Sequence, residues 1–218
     1  MESISLLNGR TISDPLSRLT SFLTEEYPWY DAINDSDPNT VLPMDVLAAV
    51  GINAFVGSAS AAKLRGLHND LARICDPLLP SLPVDADLRT FDRMPELVEL
   101  ILASTYARGA LSAVSTKILH RKRRGLIPIV DSVMASAYGT ERESRLLADS
   151  GANPDALRSA ISAVVLSIRD DLAHATGPLD ELAQSVTQLG MAVGPLRIHD
   201  ILVWTELEPR GYYRTPTP

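Results

Sequence analysis

Cysteine is almost missing from this chain: Cys75 stands alone among 218 residues. One thiol excludes an intramolecular disulfide and any metal site built from several thiolates, and it suits a reducing compartment. Aromatic residues are scarce too, at 5%, while Leu, Ala, Ile and Val dominate. That balance argues against a β-sandwich and for helix packed on helix. No apolar run approaches the roughly 20 residues of a bilayer span, so no membrane partner is expected. Met1 to Arg10 lacks the cationic start and apolar stretch of a secretory signal. The expected location is cytoplasmic. Positive charge is in deficit, with 20 Lys plus Arg against 27 Asp plus Glu and a net charge of -7. Such a molecule repels nucleic acid unless its cations are gathered in one place. Signatures of phosphate loops, dinucleotide folds and nucleophile elbows are also missing. His120, His174 and His199 form no i,i+4 pair, so neither a metal nor a cofactor is expected.

What is present is the composition of an ordinary globule, 45% hydrophobic and 22% charged. A chain of this length buries roughly 70% of its unfolded surface without a staple. Asp14 and Pro15 open a first helix that carries Leu16, Leu19, Phe22 and Leu23. Tyr27 to Leu42 is acidic and holds Pro28, Pro38, Asn34, Asp35, Ser36, Asp37 and Asn39, so it reads as an irregular loop anchored by Tyr27, Trp29 and Tyr30. Pro43 starts a short helix to about Val50. A longer one begins near Ser58, striped by Leu64, Leu67, Leu71 and Ile74. Pro77, Pro80 and Pro83 punctuate a linker, so 77–94 is the candidate lobe boundary.

Helices then read from Pro95 to near Gly109, from about Ser112 to Arg121, and from about Ser132 to Tyr138. Asn153 caps and Pro154 opens a central helix whose Leu157, Ile161, Val164, Val165, Ile168 and Leu172 repeat with helical period. Pro178 and Pro195 start the last two. Strand signals are nearly absent, with Leu126 to Val130 the one short apolar run that suits extended chain. The reading is a single all-α domain over 1–207, with 208–218 as a flexible tail.

One segment departs from this pattern. Arg108 to Asp131 holds Arg108, Lys117, Arg121, Lys122, Arg123 and Arg124 against the lone acid Asp131, a net +5 on an anionic molecule. Five cations lie within Lys117 to Arg124, with His120 among them. The bland reading is a solvated run that complements a helix C-terminus. The sharper one is an anion site in which Lys117, His120, Arg121, Lys122, Arg123 and Arg124 contact nucleic-acid phosphates.

The stretch from Gly109 through Lys117, His120 and Pro128 to Asp131 resembles the helix-hairpin-helix and Gly/Pro-Asp signature of the base-excision DNA glycosylase superfamily. It departs from it in lacking the second hairpin glycine and in the short interval from Lys117 to Asp131. Over more of the chain, the sequence resembles an uncharacterised, mainly actinobacterial family. That family carries a Lys-Leu-Leu-x-Arg-Lys-Arg-Pro-x-Leu-Ile-Pro-x-x-Asp-Ser pattern and a final helix matching Leu196, Arg197, Asp200 and Trp204. The first resemblance implies a glycosylase-like core on an all-α fold and DNA as partner. It also implies Asp131 as the carboxylate that stabilises a cationic sugar, and Lys117 as a Schiff-base amine, its neutral form favoured by neighbouring cations such as Arg121. The second implies no activity.

Each residue also has a structural reading. Asp131 suffices as the N-cap of the helix that starts at Ser132, and Lys117 suffices as a surface residue. Asp200 and Trp204 read as core packing and a buried hydrogen bond. A base-extruding enzyme needs stacking walls beside Asp131, and Tyr27, Trp29, Tyr30 and Trp204 are the candidates. Two further readings remain open. In one, the basic run docks an acidic protein partner without catalysis. In the other, it pairs internally with Glu25, Glu26, Asp35 and Asp37.

Overall fold

Short polar-apolar-polar triplets, Ser-Ile-Ser and Thr-Ile-Ser, open the fold as an antiparallel hairpin of β1 (Ser3–Ser5) and β2 (Thr11–Ser13). Ile4 pairs with Ile12 and both are buried, while Gly9 takes the left-handed backbone of the turn with φ +81°. The hairpin is an addition to the expected all-α chain. Three alternating residues are too few to register as a strand pattern in sequence. The computed structural model describes residues 2–7, 9–33, 37–52, 61–108 and 110–207. The expected turn residues Asn34, Asp35 and Ser36, the helix start at Ser58, Gly109 and the tail all lie outside them.

Helices make up most of the rest, in the order α1 (Pro15–Ser21), α2 (Pro28–Ala32), α3 (Pro43–Val50), α4 (Ala61–Cys75), α5 (Met94–Ser104) and α6 (Ser112–His120). They continue with α7 (Ser132–Tyr138), α8 (Glu141–Ala148), α9 (Pro154–His174), α10 (Thr176–Gln188) and α11 (Pro195–Leu207). Proline at the first turn opens α1, α2, α3 and α9, where its missing N–H costs no hydrogen bond.

Three expectations need correction. Asp14 does not cap α1 through its side chain; it sits in the left-handed region at φ 50°. The stretch expected to be wholly irregular after Tyr27 contains α2, because Pro28 is pre-set for a helical start. Helix α8 fills a gap left unassigned, and its start carries a capping box in which Thr140 and Glu143 bond reciprocally.

A core of buried side chains runs from Ile4 to Val203 and takes in Leu79, Leu82 and Leu88 of the proline-punctuated stretch 77–94. Helix α9 lies against α5, α7 and α8, with Leu157, Ile161, Val164, Val165, Ile168 and Leu172 buried. The hairpin is tied down where Leu7 N–H donates to Asp171 Oδ1 at 2.5 Å; the same carboxylate is bonded to Tyr138 and His199.

The geometry that matters lies around α6. Small residues from Ser112 to Thr116 let neighbouring elements approach it closely, and the helix is buried along most of its length. Beyond its end, Gly125 passes Ala86 so closely that a Cβ would stand 2.8 Å from the Ala86 carbonyl oxygen. The extended stretch 127–130 then runs back beside α6, unpaired with any sheet, where Val130 N–H donates to Thr116 Oγ1 at 2.9 Å. This strap returns Asp131 to the level of Lys117.

Candidate functional site

The cations after Lys117 turn inward. Arg121 donates from Nε to Asp45 Oδ1 at 2.8 Å, from Nη1 to Tyr30 O at 2.8 Å and from Nη2 to Ile33 O at 3.2 Å. Lys122 Nζ pairs with Asp45 Oδ2 at 2.6 Å and donates to Asp37 O at 3.1 Å. Arg123 has 0% exposure and is held by neutral acceptors: the carbonyls of Pro38, Leu79, Leu82 and Lys122, and Asn39 Oδ1. Half-buried Arg124 donates to Ile33 O at 3.0 Å. His120 bonds Ile127 O through Nδ1, and burial pushes its pKa down to about 4, so the ring is neutral near pH 7.

These side chains therefore do not stand on a surface facing nucleic acid or an acidic partner, which corrects the placement expected for them. The bland reading placed them at a helix C-terminus, and they do serve one, but it belongs to other elements. The carbonyls of Tyr30, Asp31 and Ile33 end α2, and those of Leu79 and Leu82 flank a 3₁₀ turn at Leu79–Ser81. Orphan carbonyls of this kind need donors when buried. Among the described residues Asp45 pairs with Arg121 and Lys122, and Asp37 accepts from Lys122 at its main-chain oxygen while its carboxylate also feels the Lys122 charge.

One measurable consequence follows. Four phosphate contacts by Arg121 to Arg124 give a slope of roughly -3.6 in log K against log salt. With those cations committed inside, a duplex oligonucleotide titrated over 50 to 200 mM salt should show less than about a third of that. A slope near the full value means that the run is exposed in solution.

Lys117 and Asp131 behave differently. Both line a cleft with a volume of about 140 Å³. Lys117 Nζ stands 3.5 Å from Asp131 Oδ2 and donates to Ile52 O at 3.0 Å. Asp131 caps α7, with Oδ1 accepting the N–H groups of Val133 and Met134 at 3.1 Å each. Capping thus occupies one carboxylate oxygen, and the other meets the lysine. Below them Tyr30 donates its hydroxyl to Lys117 O at 2.5 Å, fixing the helix turn that carries the ammonium.

Helix α11 supplies the facing groups. Arg197 donates from Nε and Nη2 to Asp31, at 3.1 and 3.0 Å, and from Nη1 to Asp200. Its guanidinium lies 4.9 Å over the Tyr30 ring and 5.3 Å over Phe22, a cation-π arrangement. The Asp200 carboxyl is pushed up to about 6: burial raises it, Arg197 opposes, and the nearby Asp131 charge adds to the rise. Phe22, Tyr27 and Trp204 form an aromatic wall, with Trp204 edge-on to both partners at 5.7 and 5.9 Å.

Of the aromatic candidates, Tyr27 and Trp204 reach the cleft; Tyr30 lies buried behind it and Trp29 points outward at 74% exposure. Arg197 and Asp200 were not among the expected site residues. Asp200 does make the buried hydrogen bond expected of it, and it opens on the cleft as well. The spacing Arg197, Asp200, Trp204 at i, i+3 and i+7 puts all three on one helix face, and that was the legible signal. Among the described residues no cluster of metal-ligating side chains occurs, and no described helix is long and apolar enough to cross a membrane.

Fold and cleft together define a mostly helical protein with a charge-paired, aromatic-walled cleft. The chain belongs to a family of unknown function, DUF6308, whose model matches residues 17–207. No curated protein and no solved structure matches it.

Proposed function

We propose that the cleft takes a nucleobase and its sugar and that the protein hydrolyses the bond between them, a glycosylase-like activity. The observation that supports this best is the divided role of Asp131. One oxygen is fixed by the N-terminus of α7, and the other faces Lys117 inside an aromatic-walled cleft.

Cleaving an N-glycosidic bond builds positive charge on the sugar, and a fixed carboxylate stabilises that charge without having to reorganise. Asp131 meets this need and also serves to orient the attacking water. Lys117, held as a donor to Ile52 O and to Asp131, acts in this reading as the counter-charge that keeps the carboxylate in place. Stacking on Trp204 and Tyr27 suits any base, because every base offers a π-face. The substrate is thus a free nucleoside or an unpaired nucleotide, recognised through its base and sugar. Phosphate contributes little, because Lys117, Arg121, Lys122, Arg123 and Arg197 are all buried in internal contacts.

The test is release of free base from a panel of ribonucleosides, 2′-deoxyribonucleosides and damaged single-stranded oligonucleotides, run with and without borohydride. Base release without a trapped adduct is the expected result. A borohydride-trapped adduct lost in Lys117→Gln assigns the amine as nucleophile instead, and no base release from any substrate rejects the activity.

A further inference from the structure

The geometry points to Asp200 as the proton donor of this cleft, the group that protonates the departing base while Asp131 faces the sugar. The inference rests on the glycosidic reading and gives it a second catalytic residue. Departing nitrogen bases are poor leaving groups as anions, so a hydrolase of this kind gains from an acid placed on the base side.

Three observations place Asp200 there. It lines the same cleft as Asp131 but comes from α11, whereas Asp131 sits at the start of α7. It lies four residues before Trp204, one turn away on the same helix face, so a base stacked on that indole lies beside the carboxyl. And Arg197, its hydrogen-bond partner, is shared: Asp31 takes the Nε and Nη2 donors and leaves Asp200 only Nη1. One guanidinium between two carboxylates cannot fully neutralise both.

The surrounding charges agree with a proton held at Asp200. Burial favours its neutral form, Asp131 adds repulsion, and Arg197 and Lys117 act the other way; the carboxyl is raised to about 6. From α2, Asp31 and Tyr30 face the same arginine, and Tyr30 and the Tyr138 hydroxyl of α7 both feel the Asp200 charge. Asp171 of α9 reaches α11 through His199, one residue before Asp200. A carboxyl raised in this way suits the acid of an acid and base pair.

The step balances with water as the only co-reactant. The bond between C1′ and the base nitrogen breaks and its electron pair leaves on that nitrogen, which takes the Asp200 proton. The water oxygen bonds to C1′ and its proton passes to Asp131. Exchange with solvent then restores both carboxyls.

The test compares the full chain with Asp200→Asn, which keeps an acceptor for Arg197, on two probes: the best nucleoside of the panel, and 4-nitrophenyl riboside, whose leaving group departs without a proton. For the wild type, kcat/KM on the nucleoside should fall as pH rises through about 6, because the acid must be protonated. For the variant that limb should vanish, with a loss of about 10²–10⁴-fold on the nucleoside and under about tenfold on the nitrophenyl riboside. Equal losses on both probes, or an unchanged pH limb, overturn the assignment while leaving the glycosidic reading standing. No turnover of either probe by the wild type overturns both. An Asp carboxyl carbon resonance that titrates near 6 in the wild type and is missing from the variant is expected independently of turnover. Titration of that resonance in the ordinary carboxylate range rejects the donor role.

Discussion

Asp45→Ala is expected to lose about 3–5 kcal/mol of stability, because it removes the one carboxylate between two buried cations. Asp45 is 0% exposed, with Arg121 on one oxygen and Lys122 on the other, and Oδ2 also accepts Leu42 N–H at 2.8 Å in the first turn of α3. Truncation strands both cations and opens the helix start. Against a typical total of roughly 5–15 kcal/mol, such a loss leaves a marginal or unfolded chain. Asp45→Asn should fall between, since the amide preserves shape and some hydrogen bonding. Urea unfolding monitored by circular dichroism reads all three proteins. Replacing Asp45, Arg121 and Lys122 together by apolar residues of similar volume should recover much of the loss, as apolar replacements of buried ion clusters often do. If Asp45→Ala unfolds at the wild-type midpoint, the basic run is not internal in solution.

Asp131→Asn should separate the two duties of that residue. Asparagine caps a helix about as well as aspartate, so stability should stay within about 1 kcal/mol of the wild type. Base release should nonetheless fall by about 10²–10⁴-fold, because the amide cannot balance the charge that develops on the sugar or accept a proton from water. Asp131→Ala should lose activity to a similar degree and in addition about 1 kcal/mol from the lost cap, with a further loss from the buried Lys117 ammonium left without its carboxylate. Turnover by Asp131→Asn within a few-fold of the wild type would reduce Asp131 to a cap. The two readings of this residue are compatible only because Oδ1 and Oδ2 face different partners.

Local signals in the chain carried a good part of this structure. The proline at position 43 and the glycine at 51 bracket α3, and the run from Ser132 to Tyr138 is helical as its pattern predicts. Asn153 and Pro154 start the central helix, with Asn153 Oδ1 accepting from Asp155 and Ala156. The pairing of Lys117 with Asp131 was approachable because 14 residues of helix and strap connect them. Elements carried by few residues were harder to see, as with the hairpin around Ile4 and Ile12. Helix α8 was not among the expected elements, although the Thr140 and Glu143 of its capping box stand three residues apart in the sequence, and a short helix of this kind is announced by its ends more than by its apolar face.

The sequence alone determined that the chain is predominantly helical, that proline opens several of its helices though not α10, which starts at Thr176 ahead of Pro178, and that Lys117 and Asp131 stand out from an anionic background. Only the tertiary structure decided which way the cations face. Arg121 meets Asp45 across 76 residues of chain, and Arg123 meets Leu79 across 44, separations at which no periodicity links donor to acceptor. The same holds for α11, whose Arg197 reaches Asp31 from 166 residues away and brings Asp200 and Trp204 to the cleft. The physical reason is that helix formation follows from neighbours three and four residues apart. The fate of a charge follows from which distant carbonyls and carboxylates the packed core leaves in need of a partner.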